Sequence, residues 1–204
     1  MFASAKESAA EAASEAPSSK ILLAFCSCGN QLGLFNVAAA SVTLFKWQVD
    51  CETVVKSKRP DSSDCLAAML LTTLSRYGSS KSVVVPTVRW ERPERPGQGL
   101  GDRALPSDRV LHIWILNNKI KYSSTSAAAA PGRTAIKLLY RIISVAEADK
   151  MLESLTSEVQ EVNLPREAMN DAWKRLQESN ALLPVNERLF QNSNVGLLDR
   201  WEST

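Results

Sequence analysis

Histidine is nearly absent from this sequence, which has one, His112, among 204 residues. Zinc centres built on several histidines are therefore excluded, and a Cys-His or Ser-His-Asp catalytic site would have to use that one side chain. His112 lies between Leu111 and Ile113 in a strongly apolar segment. This setting is more typical of a structural histidine than of a general base.

The sequence also lacks an excess of one charge and a long hydrophobic run. Lys and Arg number 24 against 22 for Asp and Glu, so charge favours neither nucleic acid nor an anionic membrane as partner. The longest apolar stretches, residues 21–25 and 110–116, are far shorter than the roughly 18 residues that span a bilayer. Arginines in the Pro- and Gly-rich segment 89–108 alternate with carboxylates, which indicates an exposed loop rather than an RNA-binding one. We expect no nucleic-acid partner and no membrane partner.

Large apolar side chains are scarce in residues 1–19, which are mostly Ala, Ser and Glu. Such a composition cannot offset the entropy lost on ordering, so it predicts a disordered tail over 1–19 ahead of a domain over 20–204. The segment also lacks the continuous apolar run of a secretory signal, and we expect a cytoplasmic or nuclear protein. In those compartments the four cysteines are expected to be reduced thiols or metal ligands.

The cysteines offer few chemical sites. Cys26 and Cys28 flank one serine before a glycine, and thiolates on such a turn can bind zinc. The C-x-C spacing is short for a zinc site, so we favour two side chains that alternate across a strand end, with zinc as the alternative. Cys51 stands between two acidic residues that disfavour its thiolate, and Cys65 fits the apolar stripe of a helix as a core thiol. No cofactor is predicted.

Strand patterns dominate the first two thirds of the chain. Strands are expected at 21–25, 32–34, 41–49, 81–88 and 110–116. A helix is expected at 62–77, with capping side chains supplied by residues 61–64 and a stop at Gly78. We expect Val42, Leu44 and one of Phe45 and Trp47 to face the core, and Pro86 to place its strand near a sheet edge. Asn117 and Asn118 predict a hairpin turn, with a return strand over 120–122.

Helical spacing is the main pattern of the C-terminal third. An apolar stripe predicts a helix over 148–161, and a second stripe that includes Trp173 predicts another over 166–178. Residues 134–143 fit a helix or a strand, and periodicity does not decide between them. Together these patterns predict an α+β fold: a mainly antiparallel sheet packs against a few helices, and the C-terminal third is helical.

Three blocks of sequence, taken in order, resemble one family. They are Cys28 with Leu32-Gly33 and the strand that ends Leu44-Phe45-Lys46-Trp47; Val110 to Asn117; and Leu164-Pro165 through Ser179-Asn180, Leu183-Pro184, Arg188, Phe190 and Val195 to Leu198. Over residues 20–201 the chain is similar to the HECT-like ubiquitin-conjugating-enzyme-binding family, also described as ubiquitin-protein ligases of the cyclin-B and ubiquitin-conjugating-enzyme-binding type.

The resemblance implies a ubiquitin-protein ligase-like protein whose partners are a ubiquitin-conjugating enzyme, ubiquitin and a client such as a cyclin. Transfer through a thioester would need a cysteine nucleophile, for which Cys28 and Cys51 are the candidates. In the family a C-x-x-C pair precedes the Leu-Gly step, whereas here Phe25 stands in the place of the first cysteine. The alternative is a non-catalytic adaptor or chaperone-like module that holds a client protein.

The end of the chain offers candidate partner-binding residues: Arg188, Phe190 and Trp201. Aromatic and arginine side chains contribute most of the binding energy in protein interfaces. The other interpretation is that this apolar end closes the core of its own domain. The sequence leaves both open.

Overall fold

The computed structural model describes residues 21–27, 31–50, 59–87, 105–106, 108–123, 132–154 and 156–200. The chain divides into two compact units, Met1–Val49 and Asp50–Thr204. The predicted tail over 1–19 lies outside the described residues. No helix in the described ranges is both long and apolar enough to cross a membrane.

The first unit contains a three-stranded antiparallel sheet. Its strands are β1 (Ile21–Phe25), β2 (Gln31–Asn36) and β3 (Ser41–Leu44), in that order. Val42 and Leu44 are 56% and 50% exposed, so the prediction that they face the core is wrong. The chain leaves the strand after Leu44, and Phe45 is buried, as predicted for one of Phe45 and Trp47. The Phe45 ring stacks on Trp47 with ring centroids 4.7 Å apart, and aromatic side chains contribute large buried apolar areas.

The second unit is a mixed sheet with helices. Its elements are α1 (Ser62–Tyr77), β4 (Lys81–Pro86), β5 (Arg109–Tyr122), β6 (Arg133–Ser144), α2 (Val145–Glu153), β7 (Val159–Leu164), α3 (Arg166–Ala181), a 3-10 turn (Val185–Glu187), β8 (Leu189–Phe190) and β9 (Ser193–Asp199). The strand order is β7-β4-β5-β6-β9-β8, and only the β4–β7 pair among these neighbours is parallel. The α+β class with mainly antiparallel sheets is confirmed. The helical C-terminal third is not, because β7, β8 and β9 share it with α3.

Pro86 and Asn117 act locally in two strands. β4 is the second strand of the sheet, next to the edge strand β7, so the prediction that it lies near an edge is confirmed. Pro86 is its last residue, and the next N–H, that of Thr87, donates to Leu164 O at 3.0 Å. β5 continues through the predicted hairpin turn at Asn117, and its pairing with β6 shifts register there. The Asn117 side chain accepts the Lys119 N–H at 2.9 Å, so the asparagine supports a β-bulge rather than a chain reversal.

Two further segments are decided by tertiary pairing. Residues 134–143, open from sequence, belong to β6, which pairs with β5 on one side and β9 on the other. The helix predicted over 148–161 begins earlier, after Ser144 caps it by accepting the Glu147 N–H at 3.2 Å, and ends at Glu153. Residues 159–161 instead begin β7, since they pair with β4.

Helices α1 and α3 cover one face of this sheet. As predicted, α1 begins at a cap within residues 61–64 and ends at Gly78, whose φ of +68° suits glycine; the cap is a capping box between Asp61 and Asp64. A Cβ at Gly196 of β9 would lie 2.9 Å from side-chain carbons of Leu176 and Tyr140, so the glycine lets α3 approach the sheet closely. Strand alternation places a second cluster on the opposite face, packed against α2. It consists of Val83, Val85, Val110, Ile143, Ala148 and Val159.

Candidate partner-binding surface

Four large apolar side chains are exposed in one short segment after α3. Leu182, Val185, Leu189 and Phe190 are between 51% and 79% exposed. We call residues 182–190 the apolar turn. Exposed apolar side chains that gather in one place mark an interaction site, whereas single ones do not.

The path of the apolar turn follows from its residue types. Pro184 precedes the 3-10 turn and accepts the Glu187 N–H at 2.8 Å. Gln191 and Asn192 have φ values of 46° and 59°, and they join Phe190 to Ser193 as a two-residue hairpin loop. The apolar turn therefore runs from the end of α3 through the edge strand β8 to the hairpin loop before β9.

The Arg188 side chain stabilises the apolar turn through hydrogen bonds to the backbone at the end of α3. Its Nε donates to Leu183 O and its Nη2 to Ala181 O, each at 2.8 Å. Both carbonyls lie at or just beyond the C-terminal end of α3, where a cationic donor satisfies unpaired C=O groups and complements the helix dipole. These bonds give Arg188 a positioning role. Its predicted contact with a partner stays a prediction.

Asn180 ties the same turn to β9. Its side-chain amide donates to Arg188 O and to Val195 O, both at 2.8 Å. Ser179 adds a buried bond: its hydroxyl accepts the Leu197 N–H at 2.9 Å. The sequence indicates only that Ser179 and Asn180 end the helix, so the role of Asn180 could not be read from it. The side-chain amide of Asn180 uses both of its N–H donors, and the sequence does not show which carbonyls accept them.

The other predicted contact residues divide between surface and core. Phe190 lies in the apolar turn and is exposed. Val195, Leu197 and Leu198 of β9 are buried, as the core-closing interpretation predicts. Trp201 lies outside the described residues, so its role stays a prediction.

The cysteines are described in part. Cys65 is a half-buried thiol in α1. Cys26 is disulfide-bonded, which corrects the expectation that it is reduced. That expectation rested on the cellular compartment, which does not decide whether two sulfurs lie close enough to bond. Cys28 and Cys51 lie outside the described residues and stay predicted nucleophiles.

Metal binding has little support from geometry. The zinc alternative at Cys26 and Cys28 would require the reduced form of Cys26, because zinc binds the thiolate. Within the described ranges, no three His, Cys, Asp or Glu side chains are grouped so that they could hold a metal ion.

His112 has the setting of a structural residue. It is 8% exposed on the central strand β5, and its Nε2 is buried without a hydrogen-bond partner in the described part of the chain. Burial, helped by the cations of Arg141 and Lys81, lowers its pKa to about 4. The ring is therefore neutral at pH 7. A buried ring is poorly placed to reach a substrate proton.

Comparison with known proteins gives one match. A protein-family model described as HECT-like ubiquitin-conjugating enzyme (E2)-binding matches residues 2–195, nearly the whole chain. No curated protein and no solved structure matches this chain. The matched range covers most of both compact units and all of the apolar turn.

Proposed function

This chain belongs to the HECT-like ubiquitin-conjugating enzyme (E2)-binding family, and from that premise we propose that its apolar turn binds a ubiquitin-conjugating enzyme. One observation carries the proposal: Leu182, Val185, Leu189 and Phe190 are exposed together on a turn that side-chain hydrogen bonds hold in one shape. The buried core of a protein interface is more apolar than its rim and is enriched in aromatic residues such as phenylalanine.

The held shape of the turn favours binding. A surface that is already ordered loses less side-chain and loop freedom on association. Covering one large apolar side chain contributes about 1.5–3 kcal/mol, while association itself costs about 4–15 kcal/mol. Four such side chains therefore suit a weak, transient complex, as expected for a surface that recruits an enzyme and then releases it.

We propose further that recruitment promotes ubiquitination by proximity. A bound conjugating enzyme that carries ubiquitin would be held near a client, a cyclin or another protein, in the cytoplasm or nucleus. Relay of ubiquitin through Cys28 or Cys51 is the catalytic form of this proposal. In the adaptor form the chain only holds its partners. Two observations support it: Cys26 is disulfide-bonded and so has no free thiol, and the thiol of Cys65 is half-buried.

A binding measurement tests the surface. Purified conjugating enzymes, with and without ubiquitin, are titrated onto the wild-type chain and onto a Leu189→Ala, Phe190→Ala double variant. The control is a Val42→Ala, Leu44→Ala double variant, which removes comparably exposed apolar side chains from β3. We expect the first variant to weaken binding at least about 10-fold, because two interface anchors are lost.

The outcomes test separately whether the chain binds conjugating enzymes and whether the apolar turn is the binding surface. If the wild-type chain binds none of the conjugating enzymes, the proposed function is wrong. If it binds them and the Leu189→Ala, Phe190→Ala variant binds equally well, the apolar turn is not the surface. Loss of binding in the β3 control alone would place the surface on the first unit.

A further inference from the structure

Glu187 is the acidic residue of the apolar turn, and its charge is not neutralised there. It is exposed, and its carboxylate makes no ion pair or hydrogen bond with the residues that the structure describes. It is the last residue of the 3-10 turn, and along the chain it lies two residues from Val185 and two from Leu189, whose side chains are exposed. A partner that covers those side chains must also approach this carboxylate.

The neighbouring cation does not pair with Glu187. Arg188 directs Nε and Nη2 to the carbonyls of Leu183 and Ala181. Its guanidinium is half-buried against the end of α3, whereas Glu187 is exposed to solvent. The exposed residues of the apolar turn thus combine large apolar side chains and Asn186 with one negative charge that has no partner among the described residues.

A covered carboxylate needs a partner. Removing a charge from water without a compensating ion or donor is costly, and a partner that left Glu187 unpaired would lose much of the gain from the apolar contacts. A lysine or arginine at the edge of the partner's surface would offset that cost and would also speed the encounter.

We infer that the apolar turn recognises an apolar surface of the conjugating enzyme with a lysine or arginine at its edge, and that Glu187 pairs with that cation. This inference rests on the proposed function and specifies the chemistry of the partner. Conjugating enzymes with an acidic edge at that place are disfavoured, because like charges brought together repel.

The test measures association rates and Kd at several salt concentrations for Glu187→Gln and Glu187→Lys. The control is Glu167→Gln, which makes the same change in net charge at an exposed position in the first turn of α3. That turn is separated from the apolar turn by the length of a 16-residue helix, about 24 Å. The partner is a conjugating enzyme that binds the wild-type chain.

We expect Glu187→Gln to slow association roughly 3- to 10-fold at low salt and to flatten its salt dependence, because the attraction is screened over about 10 Å at 0.1 M salt. Glu187→Lys should have a larger effect, and Glu167→Gln should behave as wild type. A Lys→Glu change at the partner's edge should restore binding to Glu187→Lys.

The two ideas fail in different ways. If no conjugating enzyme binds the wild-type chain, the proposed function fails, and this inference fails with it. A second outcome would overturn the charge pairing alone. In that outcome the wild-type chain binds and the Leu189→Ala, Phe190→Ala double variant does not, but both Glu187 variants bind as wild type at every salt concentration. Tighter binding by Glu187→Gln would also overturn it.

Discussion

The hydroxyl of Tyr140 donates a hydrogen bond to the backbone carbonyl of Leu176 at 3.1 Å and so joins the sheet to α3. Tyr140 is buried, and burial raises its pKa to about 12. Its ring also meets the edge of Trp173, with centroids 5.5 Å apart. The apolar turn follows directly on α3, so this contact helps to fix where the turn begins.

We expect Tyr140→Phe to lower the free energy of unfolding by about 1 kcal/mol, the usual net value of one hydrogen bond. The effect is limited because Leu176 O also accepts the Ser179 hydroxyl at 2.9 Å, so the carbonyl keeps a partner. Chemical denaturation measures the change. A loss above about 3 kcal/mol would mean that the ring itself is repacked.

Trp173→Ala should destabilise the second unit by about 2 kcal/mol, less than the 3–5 kcal/mol typical of a fully buried tryptophan. The reason is that Trp173 is only half-buried, although it contacts Tyr140. Thermal unfolding of the variant measures the loss, with Trp173→Phe as the control that keeps an aromatic ring. An unchanged midpoint would show that the contact contributes nothing.

Capping and turn residues predict the local structure correctly where no long-range strand pairing competes with them. The cap at Asp61 and the stop at Gly78 define α1, because both act within a few residues of the helix end. Asn117 predicts a turn by the same logic, but long pairing of β5 with β6 outweighs that preference and leaves a bulge. Val159 fits a helical stripe as well as a strand, and only its pairing with β4 decides.

The candidate site shows the same limit. Phe190 and Arg188 can be chosen from sequence because their residue types are common in interfaces. The inward direction of Arg188 and the two bonds donated by Asn180 depend on where the ends of α3 and β9 meet. No spacing in the sequence contains that information.

Protonation of His112 should make the stability depend on pH. The pKa is 6.5 for the unfolded chain and about 4 when folded, so between these values the unfolded state binds a proton that the folded state does not. The stability that the neutral His112 contributes is complete above pH 6.5 and is lost as the pH is lowered towards 4. The loss is at most about 3 to 4 kcal/mol, since one pKa unit corresponds to about 1.4 kcal/mol.

Unfolding free energies between pH 7 and pH 4.5 measure this effect, with His112→Gln as the comparison. Because the chain has one histidine, its imidazole resonance reports the folded-state pKa without ambiguity. Equal pH slopes for wild type and His112→Gln would rule out His112 as the cause.

Asn180→Asp should loosen the apolar turn without changing its composition. The carboxylate keeps the shape of the amide but cannot donate to Arg188 O or Val195 O. We expect binding of a conjugating enzyme to weaken several-fold, because a mobile turn loses more freedom on association. Amide exchange over residues 185–190 should quicken. Slower binding with unchanged exchange would point to the new charge instead.

Arg188→Lys tests the same turn from the other side. Lysine keeps the positive charge but lacks the planar fork that reaches Ala181 O and Leu183 O together. We expect binding and exchange to change in the same direction as for Asn180→Asp. If Arg188→Lys binds as wild type while Arg188→Ala does not, charge rather than shape is what Arg188 supplies.

The cysteines can separate transfer from recruitment. The chain is mixed with ubiquitin-charged conjugating enzyme, and non-reducing gels are searched for a thiol-labile ubiquitin adduct. We expect Cys65→Ala to leave binding and transfer at the wild-type level, because Cys65 is half-buried in α1. An adduct that disappears in Cys28→Ala or Cys51→Ala identifies the nucleophile, since a thioester needs that one sulfur. Loss of the adduct in Cys65→Ala would contradict the expectation, and binding without any adduct would make the chain an adaptor that acts by proximity alone.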